Sequence, residues 1–189
     1  MILAERSERR VGIDTFRSIA ESVPALTTLV AVLVDPPGPL VDEVLKVGAI
    51  PQFHGNEPAD ACVAFAAGPY LKAFHVEPNR EYDPADFDRF ARPYAHATWL
   101  FDTARDDGTS GGSGRTFRWQ TARQLAGSRR FAVSGGLTPD NVADCVRAAR
   151  PYAVDVRSGV ETNGAKDPRK VRAFLAAVRE ADAASVEPR

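Results

Sequence analysis

Two stretches decide how this chain is read: Phe131-Ala132-Val133-Ser134-Gly135-Gly136-Leu137-Thr138-Pro139-Asp140-Asn141, and Tyr152-Ala153-Val154-Asp155-Val156-Arg157-Ser158-Gly159-Val160-Glu161. Each is an apolar strand that runs into glycine. In the first, Thr138 is expected to cap a helix over 139–149, with Pro139 at its first position. Glycine lets backbone N–H groups come close to an anion, and a helix start adds partial positive charge. Either glycine site alone is as well explained by a tight packing turn. Two in succession point to one phosphate held between them.

Outward from these stretches, strand and helix patterns alternate along the whole chain. Helices are expected at 13–22, 40–47, 58–67, 84–92, 119–125, 139–149 and 168–181. Strands are expected at 27–34, 49–53, 70–76, 97–101, 130–134 and 152–156, with Met1–Ala4 as the tail of a further one. Continuous apolar runs such as Thr27–Val34 suit strands covered on both faces. In the last helix Val171, Phe174, Leu175 and Val178 hold one stripe. Such alternation means a parallel sheet with right-handed crossovers, and the count of about seven units approaches a (β/α)₈ TIM barrel. The pattern reads as such a barrel short of one βα unit at its front, with Met1–Ala4 as its second strand. The two glycine loops then follow the seventh and eighth strands, where phosphate often sits in this architecture.

The composition sets bounds. A chain of 189 residues suits one domain, and 24 basic against 25 acidic residues give a formal net charge of −1. No nucleic-acid or membrane partner is indicated. Cys62 and Cys145 fit no metal or redox spacing, and no zinc site is legible. No signal peptide or spanning helix is legible, and a cytoplasmic location is expected.

Asp102 ends the apolar strand Trp99-Leu100-Phe101 and is a candidate general acid or base, or else a structural acid. His54 ends another strand, where it either meets substrate or packs. Arg9, in Ser7-Glu8-Arg9-Arg10, could grip a carboxylate through two hydrogen bonds, although an arginine in a charged run is commonly solvated surface. The run Gly108–Gly114 falls between strand and helix, which suits a mobile loop better than a linker.

Taken in order, His54-Gly55-Asn56-Glu57, Asp102, Gly111–Trp119, Ser134–Val142, Arg150–Glu161 and Lys166-Asp167-Pro168 closely resemble phosphoribosylanthranilate isomerases of tryptophan biosynthesis. The resemblance covers nearly the whole chain. It implies a (β/α)₈ barrel that carries out an Amadori rearrangement of N-(5-phosphoribosyl)anthranilate to the carboxyphenylamino deoxyribulose phosphate, without cofactor or metal. Asp102 matches the general acid that protonates the ring oxygen, Arg9 the arginine that holds the anthranilate carboxylate, and Gly135, Gly136, Ser158 and Gly159 the phosphate loops. His54 falls in a matched motif and is taken as substrate-binding.

Three departures stand out. The family's general base is a cysteine in a Lys-Ile-Cys-Gly type motif, and this sequence has no such motif. Arg157 and Ser134 stand where the family usually has serine and alanine. The resemblance therefore implies an isomerase whose activity in this chain is impaired, its front unit lying upstream of an internal start. Strand edges left open by that gap are expected to lower solubility. The alternatives are a non-catalytic phosphosugar-binding relative, half of a split barrel, or another phosphosugar barrel.

Overall fold

A computed structural model describes residues 1–5, 7–66, 68–104 and 116–185. The glycine-rich run 108–114 lies outside the described residues. Two compact units make up the chain: residues 1–73 with 91–98, and residues 74–90 with 99–189.

In the first unit, helix α1 (Ile13–Ser22) is followed by strand β1 (Val30–Leu33), α2 (Gly38–Lys46), β2 (Ile50–Phe53) and α3 (Ala59–Ala66). Pro37 and Pro39, with φ fixed near helical values, set the start of α2. Strand β1 runs parallel to β2, with Val30 opposite Ile50 and Leu33 opposite Phe53. The expected strand tail at Met1–Ala4 is there: Ile2 bridges Val32 in parallel, and Leu3 N–H donates to the Val32 carbonyl at 3.0 Å. Leu3, Phe16, Leu33, Val41, Val44, Phe53 and Cys62 close a continuous apolar core.

Strand β3 (Leu71–Val76) passes from the first unit into the second, beginning parallel to β2 with Phe53 opposite Lys72. The second unit then holds α4 (Pro84–Ala91), β4 (Thr98–Thr103), α5 (Trp119–Ala126), β5 (Phe131–Val133), α6 (Val142–Ala149) and β6 (Ala153–Val154). A short antiparallel pair, β7 (Glu161–Thr162) and β8 (Ala165–Lys166), leads into α7 (Pro168–Ser185). The strand order is β1-β2-β3-β4-β5-β6. Asp83 caps α4 as its sequence suggested, its Oδ1 accepting the Ala85 N–H at 2.7 Å. Phe74, Phe87, Trp99 and Phe101 form edge-to-face and tilted ring contacts 5.3–6.4 Å apart.

Several expectations need correction. Strand β6 covers only Ala153–Val154 rather than 152–156, because the chain turns at Arg157 into a 3-10 turn, Ser158–Val160. Helix α6 begins at Val142, not at 139, and Thr138 does not cap it with its side chain. Instead the Thr138 amide donates to Asn141 Oδ1 at 2.8 Å, and residues 138–141 form a separate turn. In α7, Leu175 is 47% exposed, while Phe174 and Ala181 are buried, so the stripe continues through Ala181 rather than Leu175. Asp102 is the penultimate residue of β4 rather than the residue that ends it.

Candidate active site

The parallel register of the second unit decides which side chains meet. Trp99, Leu100 and Phe101 stand opposite Phe131, Ala132 and Val133, and Val133 stands opposite Val154. One step further along these strands the row is Asp102, Ser134 and Asp155. Register partners in a parallel sheet share a face, so these three side chains line one row. Ser134 Oγ donates to Asp155 Oδ2 at 3.3 Å, and the Ser134 amide donates to the Phe101 carbonyl at 2.8 Å. Asp102 is 2% exposed, as is Thr103 beside it. Asp155 was not singled out from sequence, where it read as one polar residue in a short strand; only register places it in this row.

The glycine loops lie at the same ends of the strands. Gly135 (φ +88°) and Gly136 (φ +67°) both take left-handed backbone, which glycine adopts without steric penalty. A Cβ on Gly135 would stand 2.4 Å from Thr103 Oγ1, so this loop rests directly on the strand that carries Asp102. Asn141 Nδ2 donates to the Gly136 carbonyl at 3.0 Å, and with the Thr138 contact this one side chain staples the loop at both ends. The second loop meets the first: a Cβ on Gly159 would fall 1.8 Å from the Leu137 carbonyl oxygen. Among the described residues, none accepts a hydrogen bond from the amides of Gly135, Gly136, Ser158 or Gly159. Unmatched amides of this kind are what an anion takes up. Lys166 Nζ donates to the Arg157 carbonyl at 2.7 Å, fixing the residue that precedes the 3-10 turn.

In the first unit the expected residues lie on separate loops. Arg9 is exposed in a tight turn after the first strand fragment, its amide 3.2 Å from Ser7 Oγ. His54 follows β2, with its Nδ1 3.1 Å from the Nε2 of buried Gln52. A buried ion pair, which sequence reading missed, lies behind it. Glu57 Oε2 and Lys72 Nζ are 2.7 Å apart, with side chains 3% and 4% exposed. Glu57 Oε1 accepts the amides of Asp35 at 2.9 Å and Gly55 at 3.0 Å. Burial alone would raise the Glu57 carboxyl; the hydrogen bond and charge of Lys72, with the backbone amides, hold it below the usual carboxylate range.

Neither cysteine faces solvent. Burial pushes the Cys62 thiol up to about 11 and the Cys145 thiol up to about 12. Both are buried on helices α3 and α6, as their spacing suggested, and Cys62 Sγ donates to the Glu57 carbonyl at 3.8 Å.

A sequence profile of the family described as N-(5'phosphoribosyl)anthranilate (PRA) isomerase matches residues 1–177. The chain belongs to the phosphoribosylanthranilate isomerase family. An isomerase of this name from Desulforudis audaxviator is 38% identical over 178 residues, which cover 92% of this chain and 83% of the relative. One from Thiobacillus denitrificans is 38% identical over 180 residues, 92% and 83% of the two chains. The crystal structure of phosphoribosyl anthranilate isomerase from Thermotoga maritima superposes with a TM-score of 0.80 at 30% identity, covering 95% of this chain and 86% of that one. A further isomerase structure, in complex with reduced 1-(o-carboxyphenylamino)-1-deoxyribulose 5-phosphate, gives 0.75 at 26% identity over the same shares. The (β/α)₈ TIM-barrel class expected from the strand count is thereby the fold class of this phosphoribosylanthranilate isomerase relative. No described helix is long and apolar enough to cross a membrane.

Proposed function

We propose that this chain binds N-(5-phosphoribosyl)anthranilate and works on it as a phosphoribosylanthranilate isomerase, with the two glycine loops as its phosphate seat. The observation that carries this reading is the contact of Gly159 with the Leu137 carbonyl, which brings two sets of unmatched amides side by side. The phosphate oxygens accept from the amides of Gly135, Gly136, Ser158 and Gly159, and Arg157 brings a cation to the residue next to the turn.

Asp102 is the general acid. Buried on β4, the strand on which the glycine loop rests, it gives its proton to the furanose ring oxygen as the C1–O bond breaks. The anthranilate nitrogen supplies the electron pair, leaving a protonated imine at C1. Removal of the proton from C2 then gives an enolamine, which tautomerises to the ketose. Arg9 pairs with the anthranilate carboxylate, and His54 contacts the sugar. No metal or redox cofactor enters this scheme, since the sugar's own C2 hydrogen accounts for the change at C1.

The base for the C2 proton is not one of the two cysteines. A buried thiol pushed up to about 11 or 12 holds almost no thiolate at neutral pH. Loss of a general base slows such a step by about 10²- to 10⁴-fold, so conversion by residues 1–189 alone is expected to be slow while binding is retained. The test is calorimetric titration with the reduced deoxyribulose phosphate analogue, alongside single-turnover conversion of the substrate read by chromatography. Binding with slow, Asp102-dependent conversion supports the reading. Failure to bind the analogue, or conversion untouched by Asp102→Asn, overturns it.

A further inference from the structure

The Glu57–Lys72 pair is placed and bonded in a way that burial alone does not explain. Each charge costs free energy to remove from water, and a hydrophobic pair of similar volume would fill the same space. What a hydrophobic pair could not do is hold backbone. The Glu57 carboxylate takes the Asp35 amide from the loop after β1 and the Gly55 amide, on both oxygens, from the loop after β2. Lys72 Nζ, rising from β3, closes the arrangement by donating to the Gly55 carbonyl at 2.6 Å and to Glu57 Oε2 at 2.7 Å, and it lies 5.7 Å from the centre of the Tyr94 ring.

The two loops are also tied to each other and to the next element. Asp35 Oδ1 accepts the Asn56 amide at 2.9 Å, and a Cβ on Gly55 would stand 2.7 Å from that same oxygen. Asp35 itself has φ +44°, a conformation that costs a non-glycine residue free energy and persists where its surroundings hold it. Tyr94 Oη donates to the Glu57 carbonyl at 2.8 Å. The Gly55 N–H and the Gly55 carbonyl, one residue after His54, are thus both met by one ion pair, which accepts from the first and donates to the second.

We propose that Glu57 and Lys72 are positioning residues that fix the backbone on either side of the Gly55 peptide and so aim the His54 side chain at the bound substrate. The pair touches no reacting atom and acts through His54. This rests on the reading of His54 as substrate-binding. The chemistry is that of a charged brace: the ammonium holds the loop carbonyl, the carboxylate holds the loop amides, and each satisfies the other's charge.

The test uses the full chain with two substitutions made together, Glu57→Gln and Lys72→Met, so that no single charge is left buried. Amide hydrogen exchange at Asp35 and Gly55 and calorimetric binding of the reduced deoxyribulose phosphate analogue are measured in this variant, in His54→Ala, and in the triple variant, with far-ultraviolet circular dichroism as the check of fold. Expected are faster exchange at the two amides, about tenfold weaker binding in the double variant, and no further loss when the double change is added to His54→Ala, since hydrogen bonds to charged groups are worth about that much. Unchanged exchange, or an equal loss of binding with and without His54, overturns the proposal. If His54→Ala binds as the unaltered chain does, His54 is not substrate-binding and the proposal falls with it. If the unaltered chain does not bind, the functional reading fails first, and slower exchange in the unaltered chain still decides whether the brace exists. Should the double variant fail to fold, Lys72→Arg, which keeps the charge, is measured instead: retained binding and slow exchange support the brace, and loss of binding with slow exchange overturns it.

Discussion

The Leu137 carbonyl oxygen lies 1.8 Å from where a Cβ on Gly159 would be, so the loop after β6 is seated directly on the loop after β5. Backbone meets backbone there, and no side chain can swing aside. Gly159→Ala must therefore push the two loops apart. A loss of stability of about 1–3 kcal/mol is expected from overpacking. Analogue binding should weaken further than that of Gly164→Ala, where a Cβ meets no atom but φ is +79°. Urea melts and calorimetry on the two variants check this, and equal binding by both would show that the contact has no part in holding phosphate.

Gly135→Ala combines two penalties, a left-handed backbone and a clash with Thr103. The left-handed conformation alone costs roughly 1–2 kcal/mol. Because Thr103 neighbours Asp102 on β4, relief of the clash is expected to lower single-turnover rate as well as affinity. A second change, Thr103→Ser, keeps the Oγ1, Cβ and backbone nitrogen that the added Cβ would meet, so it should recover neither.

Asp102→Asn keeps the shape of a buried side chain and removes its acidic proton. Single-turnover conversion is expected to fall by about 10²- to 10⁴-fold, while analogue affinity stays within about threefold. Ring opening observed at the unaltered rate would remove Asp102 from the role of acid.

The cysteines offer a separate check on which group serves as base. With its thiol pushed up to about 11, roughly one Cys62 in a thousand is thiolate at pH 8. Alkylation by iodoacetamide in the native protein should be very slow at both sites and fast in urea. Cys62→Ala and Cys145→Ala should each leave the slow conversion within about twofold, at a stability cost of ~1 kcal/mol.

Glu57 gives the stability an acid limb. Its carboxyl is held below the usual range in the folded chain, so folding is favoured by its ionised form at pH above the unfolded value, about 4.3. That contribution is lost as pH falls through the lower, folded value. Thermal melts between pH 6 and pH 3 should show a decline that is shallower in the Glu57→Gln, Lys72→Met double variant, which has no such group to protonate.

How much of this could be read without coordinates differs from element to element. The run Thr27–Val34, of which Val30–Leu33 is strand, and the stripe around Phe16 mark strand and helix through local periodicity, and the family motifs around Gly135 and Gly159 carry the functional class because turn chemistry is local. Helix ends were less legible: Thr138 does not cap the helix, and its own amide instead donates to Asn141 Oδ1 in a turn that precedes the helix. The short β6 was overestimated for a similar reason, as apolar character continues to Val156 after strand pairing has ended.

Sequence by itself determined the alternation of strand and helix and the two cysteines as core residues, which follow from spacing along one strand or helix, and the family, which follows from its motifs. Only tertiary structure decided which loops share a seat. The register that aligns Asp102 with Ser134 and Asp155, the contact of Gly159 with Leu137, and the bond between Glu57 and Lys72 join residues 15 to 53 positions apart. Hydrogen-bond register and backbone contact are relations between strands, and no window of sequence contains both partners.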